Sequence, residues 1–468
     1  MKKIPLLASL ALAACTVGPD YRRPAVEVPA QFPAALAPQA GGLAADWWKL
    51  YGDAALDELV ETARRNNSDL RLAAARVQEA EGALREARAA LFPDVSAGYS
   101  YTRNRVSTVA SPPVPPSFPV TRANHQALAS TSYELDFWGR YARASEAAQA
   151  GLLGSIFSRD VVELTLVGAV AQAYFALRSL DAQIAVLDSS IKGRQDSLEI
   201  ARARLDAGLA PELDVYQAQS ALADLRVQRR DAVRGRAVVE HQLAGLTGKL
   251  DLALPAGELF KLPLAPVPPA GLPSALLERR PDIRQAEETL VAANAQIGVA
   301  RAALFPSVSL TAAFGGQSSE LADLFTGPAR IWTLGAGVAA PVFDAGRRSA
   351  RVDQAVARRD QALAGYRKAI ETGFREVSDA LVNVEASAAS EDELEVRLQA
   401  ARNALELSNA RYQAGYSPYL EVLDAQRTAN DAELAFVRNR QARLSFSVDL
   451  MKALGGGWQA SEFRSSSR

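Results

Sequence analysis

The chain has 468 residues, enough for two or three globular domains or for one elongated one, and its 49% hydrophobic but only 7% aromatic content suits long helices packed through small side chains. Lys+Arg 52 against Asp+Glu 53 leaves a net charge of -1, so the basic excess of a nucleic-acid binder is missing and no nucleic-acid partner is expected. With a single cysteine there is no internal disulfide.

Lys2 and Lys3 precede an apolar run from Ile4 to Ala14 that is too short to span a bilayer, which marks residues 1–14 as a secretory signal peptide. The run ends in Leu12-Ala13-Ala14-Cys15, and small residues before a cysteine resemble the bacterial lipobox. That resemblance implies cleavage before Cys15 and acylation of its sulfur and new amino group, a covalent lipid that anchors without spanning. Thr16 in place of Asp favours the outer membrane, by similarity to enteric lipoproteins. Residues 15–45 are rich in Pro and Ala with no apolar period, which predicts a lipidated, extended tether.

The body is written twice. ARAALFP occurs at Ala87 to Pro93 and again at Ala300 to Pro306, 213 residues on, and Asp69-Leu70-Arg71 faces Asp282-Ile283-Arg284 at the same offset. Further along, ARLDAGLAPELDVYQAQ from Ala203 faces ARYQAGYSPYLEVLDAQ from Ala410, nine of seventeen residues identical, at an offset of 207. The difference places six extra residues in the first copy, for which the proline-rich Ser111 to Pro119 is the expected site. The predicted organisation is a first repeat over 46–250, a link over 251–281, a second repeat over 282–454 and a tail over 455–468.

Each repeat opens with a helical pattern that ends at ALFP, since proline forces the residue before it out of the helix. Beyond it the apolar period becomes alternating, predicting strands at about 94–107, 124–138, 307–316 and 330–343, each of membrane-crossing length with one apolar and one small or polar face. Arg140 to Ala210 and Arg347 to Ser417 contain no proline and predict helices of ~100 Å. Val161 to Leu177 is apolar enough to suggest a membrane helix, but Glu163, Thr165 and Gln172 favour burial between helices. Both long helices stop at a glycine with a proline three residues on, Gly208 to Pro211 and Gly415 to Pro418, predicting two helical hairpins with tips there.

Four strands cannot close a barrel, and an open edge cannot face lipid. Three copies would supply twelve, more than the eight that side chains fill. The expected fold is therefore an α+β membrane protein: a trimeric twelve-stranded outer-membrane β-barrel, four strands per chain, continuing into a long α-helical barrel.

CTVGPDYRRP at Cys15, DWWKLYGDAALDELV at Asp46, LLERRPDIRQAE at Leu276, PVFDAGR at Pro341 and MKALGGGW at Met451 resemble, in this order, the TolC family of outer-membrane factors, in its OprM-like lipoprotein branch. The resemblance implies a homotrimer in the bacterial outer membrane with its helical tunnel in the periplasm. It also implies a mixed equatorial belt built from the residues before Asp69, the link from Gly248 and the C-terminus. Such proteins act as passive exit ducts of tripartite efflux pumps, joined by a periplasmic membrane-fusion adaptor to an inner-membrane RND-type transporter. Matched residue by residue, the branch's periplasmic gate falls on Tyr412, Asp424 and Arg427, whereas the first repeat has Leu205, Gln217 and Ser220 there. The adaptor-docking tips fall on Gly208, Leu209 and Pro211, and on Gly415, Tyr416, Ser417 and Pro418.

His125 and His241 lack metal-ligand spacing and methionine occurs only at Met1 and Met451, so no metal site is expected. No phosphate loop or catalytic triad spacing is present, and apart from the lipid on Cys15 no cofactor or enzymatic activity is expected. A type I protein-secretion channel shares this body and is the alternative. A structural envelope-tethering lipoprotein is the second, although four amphipathic strands have no use in a tether.

Overall fold

The computed structural model describes residues 16–26, 44–109, 115, 117, 119–266 and 273–457; the expected signal peptide, Cys15, residues 27–43 of the expected tether and the end of the tail lie outside them. In chain order the helices and strands are α1 (Ala54–Asn66), α2 (Ser68–Ala89), β1 (Asp94–Arg105), β2 (Thr121–Leu135), α3 (Arg140–Asp206) and α4 (Glu212–Thr247). They continue with α5 (Pro273–Arg279), α6 (Pro281–Ala302), β3 (Ser307–Ser318), β4 (Arg330–Ala339), α7 (Arg347–Gln413) and α8 (Tyr419–Ala453).

The duplication is visible in the lengths: α2 and α6 have 22 residues each, β1 and β3 have 12, and α3 and α7 have 67. The ladders pair Asp94 with Ser132 and Ser307 with Ala339, so the change of offset from 213 to 207 falls between β1 and β2, the segment that holds the proline-rich loop. β2 has 15 residues against 10 in β4, and Pro341 helps explain why β4 stops at Ala339, because proline has no N–H for the ladder.

ARAALFP is a helix-to-strand switch used twice. Leu91 N and Phe92 N donate to the Arg88 and Ala89 carbonyls at 3.1 and 3.0 Å, and Leu304 N and Phe305 N repeat this onto Arg301 and Ala302 at 3.0 and 3.2 Å. The helices end at Ala89 and Ala302, three residues of turn lead to Pro93 and Pro306, which cannot resume the helix, and a strand starts at the next residue.

Two compact units are interleaved along the chain. One comprises Met1–Ala25, Val77–Ser155 and Ala286–Tyr366, the other Val26–Arg76, Ile156–Gln285 and Arg367–Arg468. The first holds a single four-stranded antiparallel sheet in the order β1-β2-β3-β4. It also holds residues 16–25, which carry no helix or strand and are fastened to the body as a strap. Val17 N donates to the Trp138 carbonyl at 3.0 Å, Asn294 Nδ2 to the Pro19 carbonyl at 2.8 Å, and Arg23 grips Glu287 with two bonds of 2.8 and 2.7 Å. Gly18, at φ 124, lies so near Gly298 that a Cβ on it would be 2.6 Å from the Gly298 Cα, so only glycine fits.

The second unit is organised by an aromatic core in which Trp47, Tyr51, Leu56 and Val60 pack with Val170, Tyr174 and Phe175 of α3, Leu259 of the link and Leu444, Val448 and Met451 of α8. Burying each such side chain stabilises the unit by about 1.5–3 kcal/mol. The apolar Val161 to Leu177 stretch is thus core. Asp53 caps α1 by accepting from Ala55 N and Leu56 N at 2.8 and 3.2 Å, and takes the Tyr174 hydroxyl at 2.7 Å. The link is pinned through buried Asp181, which accepts from Arg178 (2.9 Å), Arg236 (2.6 Å) and Gly257 N (3.0 Å). The expected mixed belt differs in one respect: among the described residues, the segments that build this core carry helices and turns but no strand. Pro255, Pro263 and Pro266 make the link a poor ladder partner.

Candidate functional site

The strand register sorts side chains by type. Val95 is paired with Thr131, Thr131 with Ala312 and Ala312 with Leu334; Ala97, Ala129, Phe314 and Trp332 form the next such row. Tyr99, Tyr101, Tyr133, Leu310 and Val338 fall on the same face by the two-residue period. The opposite face carries rows such as Ser96, Ser130, Ala313 and Thr333, and Ser132, Thr311 and Gly335. Val95, Phe314, Trp332, Leu334 and Val338 are 62–75% exposed, an apolar surface that water would not tolerate and a bilayer would. At the helix end of the sheet Trp138 stacks on Phe305 at 4.6 Å and donates Nε1 to the Pro306 carbonyl at 2.7 Å, while Phe92 and Phe343 are exposed. At the loop end stand Tyr99 and Tyr101, with His125 against both rings. Aromatic residues at both ends of an apolar band are what a barrel wall places at the two lipid headgroup levels.

The hairpin tips lie in the second unit and share one backbone motif. Gly208 (φ 71) donates to the Leu205 carbonyl and Leu209 to the Arg204 carbonyl, both at 2.8 Å; Gly415 (φ 81) and Tyr416 repeat this onto Tyr412 and Arg411 at 3.0 and 2.9 Å. This pair of bonds is the Schellman closure, which needs the left-handed residue glycine supplies. Pro211 and Pro418 sit one place earlier than the first helical turn, as the N-cap residues of α4 and α8. Leu209 and Tyr416 are 70% and 80% exposed, and Leu213 and Leu420, each 60% exposed, lie beside them. The last two were legible as an identical pair at the 207-residue offset.

The three gate positions are not brought together within one chain. Arg427 Nη2 donates to Asp424 Oδ1 at 2.8 Å, with both side chains largely exposed. They border a groove of about 540 Å³ also lined by Gln217, Asp224, Asp431 and Arg194, whose buried Nη1 has no partner. Tyr412 is buried instead. Its ring packs on Tyr419 at 5.5 Å, the Arg204 guanidinium lies 4.6 Å over it and donates to its carbonyl at 2.6 Å, and its hydroxyl has no partner. Burial pushes the Tyr412 phenol up, with the Asp214 charge adding to the effect. Arg204 was not legible as a partner of Tyr412, because their contact joins two hairpins 208 residues apart in the chain. Cys15 lies outside the described residues, and among those described no cluster of His, Cys, Asp and Glu is placed to hold a metal ion.

Residues 59–249 and 272–456 match the family model for outer membrane efflux proteins. The toluene efflux pump outer membrane protein TtgC of Pseudomonas putida is 37% identical over 461 residues, 96% of this chain and 93% of that one. Outer membrane protein OprJ of Pseudomonas aeruginosa is 36% identical, covering 97% and 95% of the two chains. The structure of the outer-membrane channel OprN superposes with a TM-score of 0.88 at 29% identity, covering 95% of this chain and all of that one. An apolar four-stranded sheet, two long helical hairpins, a duplicated plan and these likenesses converge: the chain belongs to the outer membrane efflux protein family and is the outer-membrane exit duct of an efflux pump.

Proposed function

We propose that three copies of the chain close a twelve-stranded barrel through β1 of one and β4 of the next, and that the same threefold axis runs through a periplasmic tunnel of twelve helices. The carrying observation is the sheet: its order leaves the backbone of β1 and β4 unpaired at the two edges, while its apolar face is exposed. Such edges cannot stay open in hydrocarbon, where each unpaired group costs several kcal/mol. A lipid on Cys15 anchors the trimer, and the fastened strap from Thr16 to Ala25 keeps that anchor beside the body that carries the strands.

In this reading Asp424 and Arg427 form charged rings at the tunnel's periplasmic mouth and, with Tyr412, hold it closed. The exposed tip residues Leu209, Leu213, Tyr416 and Leu420 are the surface offered to a periplasmic adaptor, which links the duct to an RND-type inner-membrane transporter. The energy comes from that transporter and the duct is passive. Single-channel conductance of the purified protein in planar bilayers tests the reading. Wild type should show small, mostly closed currents, and Asp424→Ala/Arg427→Ala should raise them several-fold. Currents unchanged in the double variant would remove the latch, and no pore in either protein would remove the barrel.

A further inference from the structure

The lipid-facing side of the sheet carries positive charge at one end only. By register and alternation, Arg103 and Arg105 continue the row of Val95, Ala97, Tyr99 and Tyr101 on β1, and Arg330, level with Gly316, Ala127 and Tyr99, is on the same face at the start of β4. All three are exposed, and among the described residues none makes an ion pair with a carboxylate. No carboxylate stands on this face of the four strands: Asp94 and Glu134, paired with Ser132 and Ser309, are on the other face and at the opposite end. Arg122, on that other face, instead donates Nε to the Pro119 carbonyl at 3.2 Å.

A cation on a lipid-facing row costs about 2–4 kcal/mol at the bilayer midplane and little at the interface. Arg103 and Arg105 come eight and ten residues after Val95, where a tilted strand of 9–11 residues has crossed the hydrocarbon. The tyrosines just inside them mark the headgroup level. Guanidinium groups there, without a protein carboxylate, match a phosphate that two of them can grip through parallel N–H donors.

We propose that Arg103, Arg105 and Arg330 form a rim site for the phosphate groups of lipid A, the phosphorylated glycolipid of the outer leaflet, with Tyr99, Tyr101 and His125 packing against its sugar and upper acyl chains. Closure of the barrel sets Arg330 of one chain next to β1 of its neighbour, so each site draws on two chains. The site rests on the proposed trimer and on the loops facing outward.

Native mass spectrometry of the purified trimer tests it, with bisphosphorylated lipid A, its dephosphorylated form and phosphatidylglycerol as probes. Bisphosphorylated lipid A should bind tightest, and Arg103→Gln/Arg105→Gln/Arg330→Gln should weaken it about tenfold, the loss of one or two charge-assisted bonds. Arg122→Gln should leave binding unchanged, and the triple lysine variant, which keeps the charge, should bind between wild type and the glutamine variant. Equal binding of the dephosphorylated form, or a glutamine variant that binds as wild type, overturns the site, and equal retention of phosphatidylglycerol overturns its assignment to the glycolipid. Labelling of Ser319→Cys in intact cells by a membrane-impermeant maleimide separates the two levels. Labelled loops with no effect of the arginines sink the lipid site alone, whereas unlabelled loops sink the orientation beneath it.

Discussion

The two hairpin tips are one backbone carrying two sets of side chains. Glycine at 208 and 415 gives both the same left-handed closure, with the same pair of hydrogen bonds. Arg204 and Arg411 are equivalent positions, yet Arg204 reaches across to the carbonyl and ring of Tyr412, while Arg411 pairs with Glu421 at 3.0 Å within its own hairpin. Duplication therefore preserved the turn and released the side chains. The first tip became the support and the second the part supported, which fits the presence of Tyr412, Asp424 and Arg427 on the second hairpin alone.

The shared backbone gives the largest expected effect. Gly208→Val and Gly415→Val each place a β-branched residue at positive φ, which costs about 2 kcal/mol or more. Hydrogen exchange at the tips should show the same loss of protection for either change. A loss at one tip only would break the equivalence of the two turns.

The divergent side chains come next. Arg204→Met removes a charge-assisted bond and a cation over an aromatic ring, and should loosen the Tyr412 tip by about 1 kcal/mol. Arg411→Met removes an exposed ion pair worth only a few tenths of a kcal/mol. Exchange at residues 410–416 should therefore rise markedly in the first variant and barely in the second. Equal responses would mean that the first hairpin does not support the second.

The sequence-level reading reached the backbone of this design further than its contacts. Proline after ALFP, glycine before the tip prolines and alternation in the strands are local signals, and each determines a local conformation. The assignment of Val161 to Leu177 to a core rested on three polar interruptions, and the structure places Val170, Tyr174 and Phe175 among Trp47, Tyr51 and Met451. The strap was not legible, because its hold depends on Glu287, Asn294 and Gly298, which no period links to residues 16–25. The Arg204 clamp was hidden for the same reason. Repeats reveal what two copies share, and this contact exists because the copies differ.

The smallest effect separates the tips by titration. Tyr412 is buried with its hydroxyl unpartnered, and burial raises its pKa above the ordinary tyrosine value, whereas Leu205 at the matching place cannot ionise. The sign follows from linkage. An acid whose folded pKa is raised has no effect on stability at neutral pH, where it is protonated in both states. It lowers stability as pH climbs through the unfolded value towards the folded one, because the unfolded chain then releases the proton first. The difference in tyrosinate absorbance between wild type and Tyr412→Phe should accordingly show one phenol titrating above the ordinary range. Above pH ~10 the wild-type tip should become more protease-sensitive at residues 410–420, an effect reduced in the phenylalanine variant, where only the Tyr419 phenol, also raised by burial, remains. A phenol at 412 that titrates at the ordinary value would show that its ring is open to water, and the support supplied by Arg204 would then be too weak to keep the two hairpins unlike.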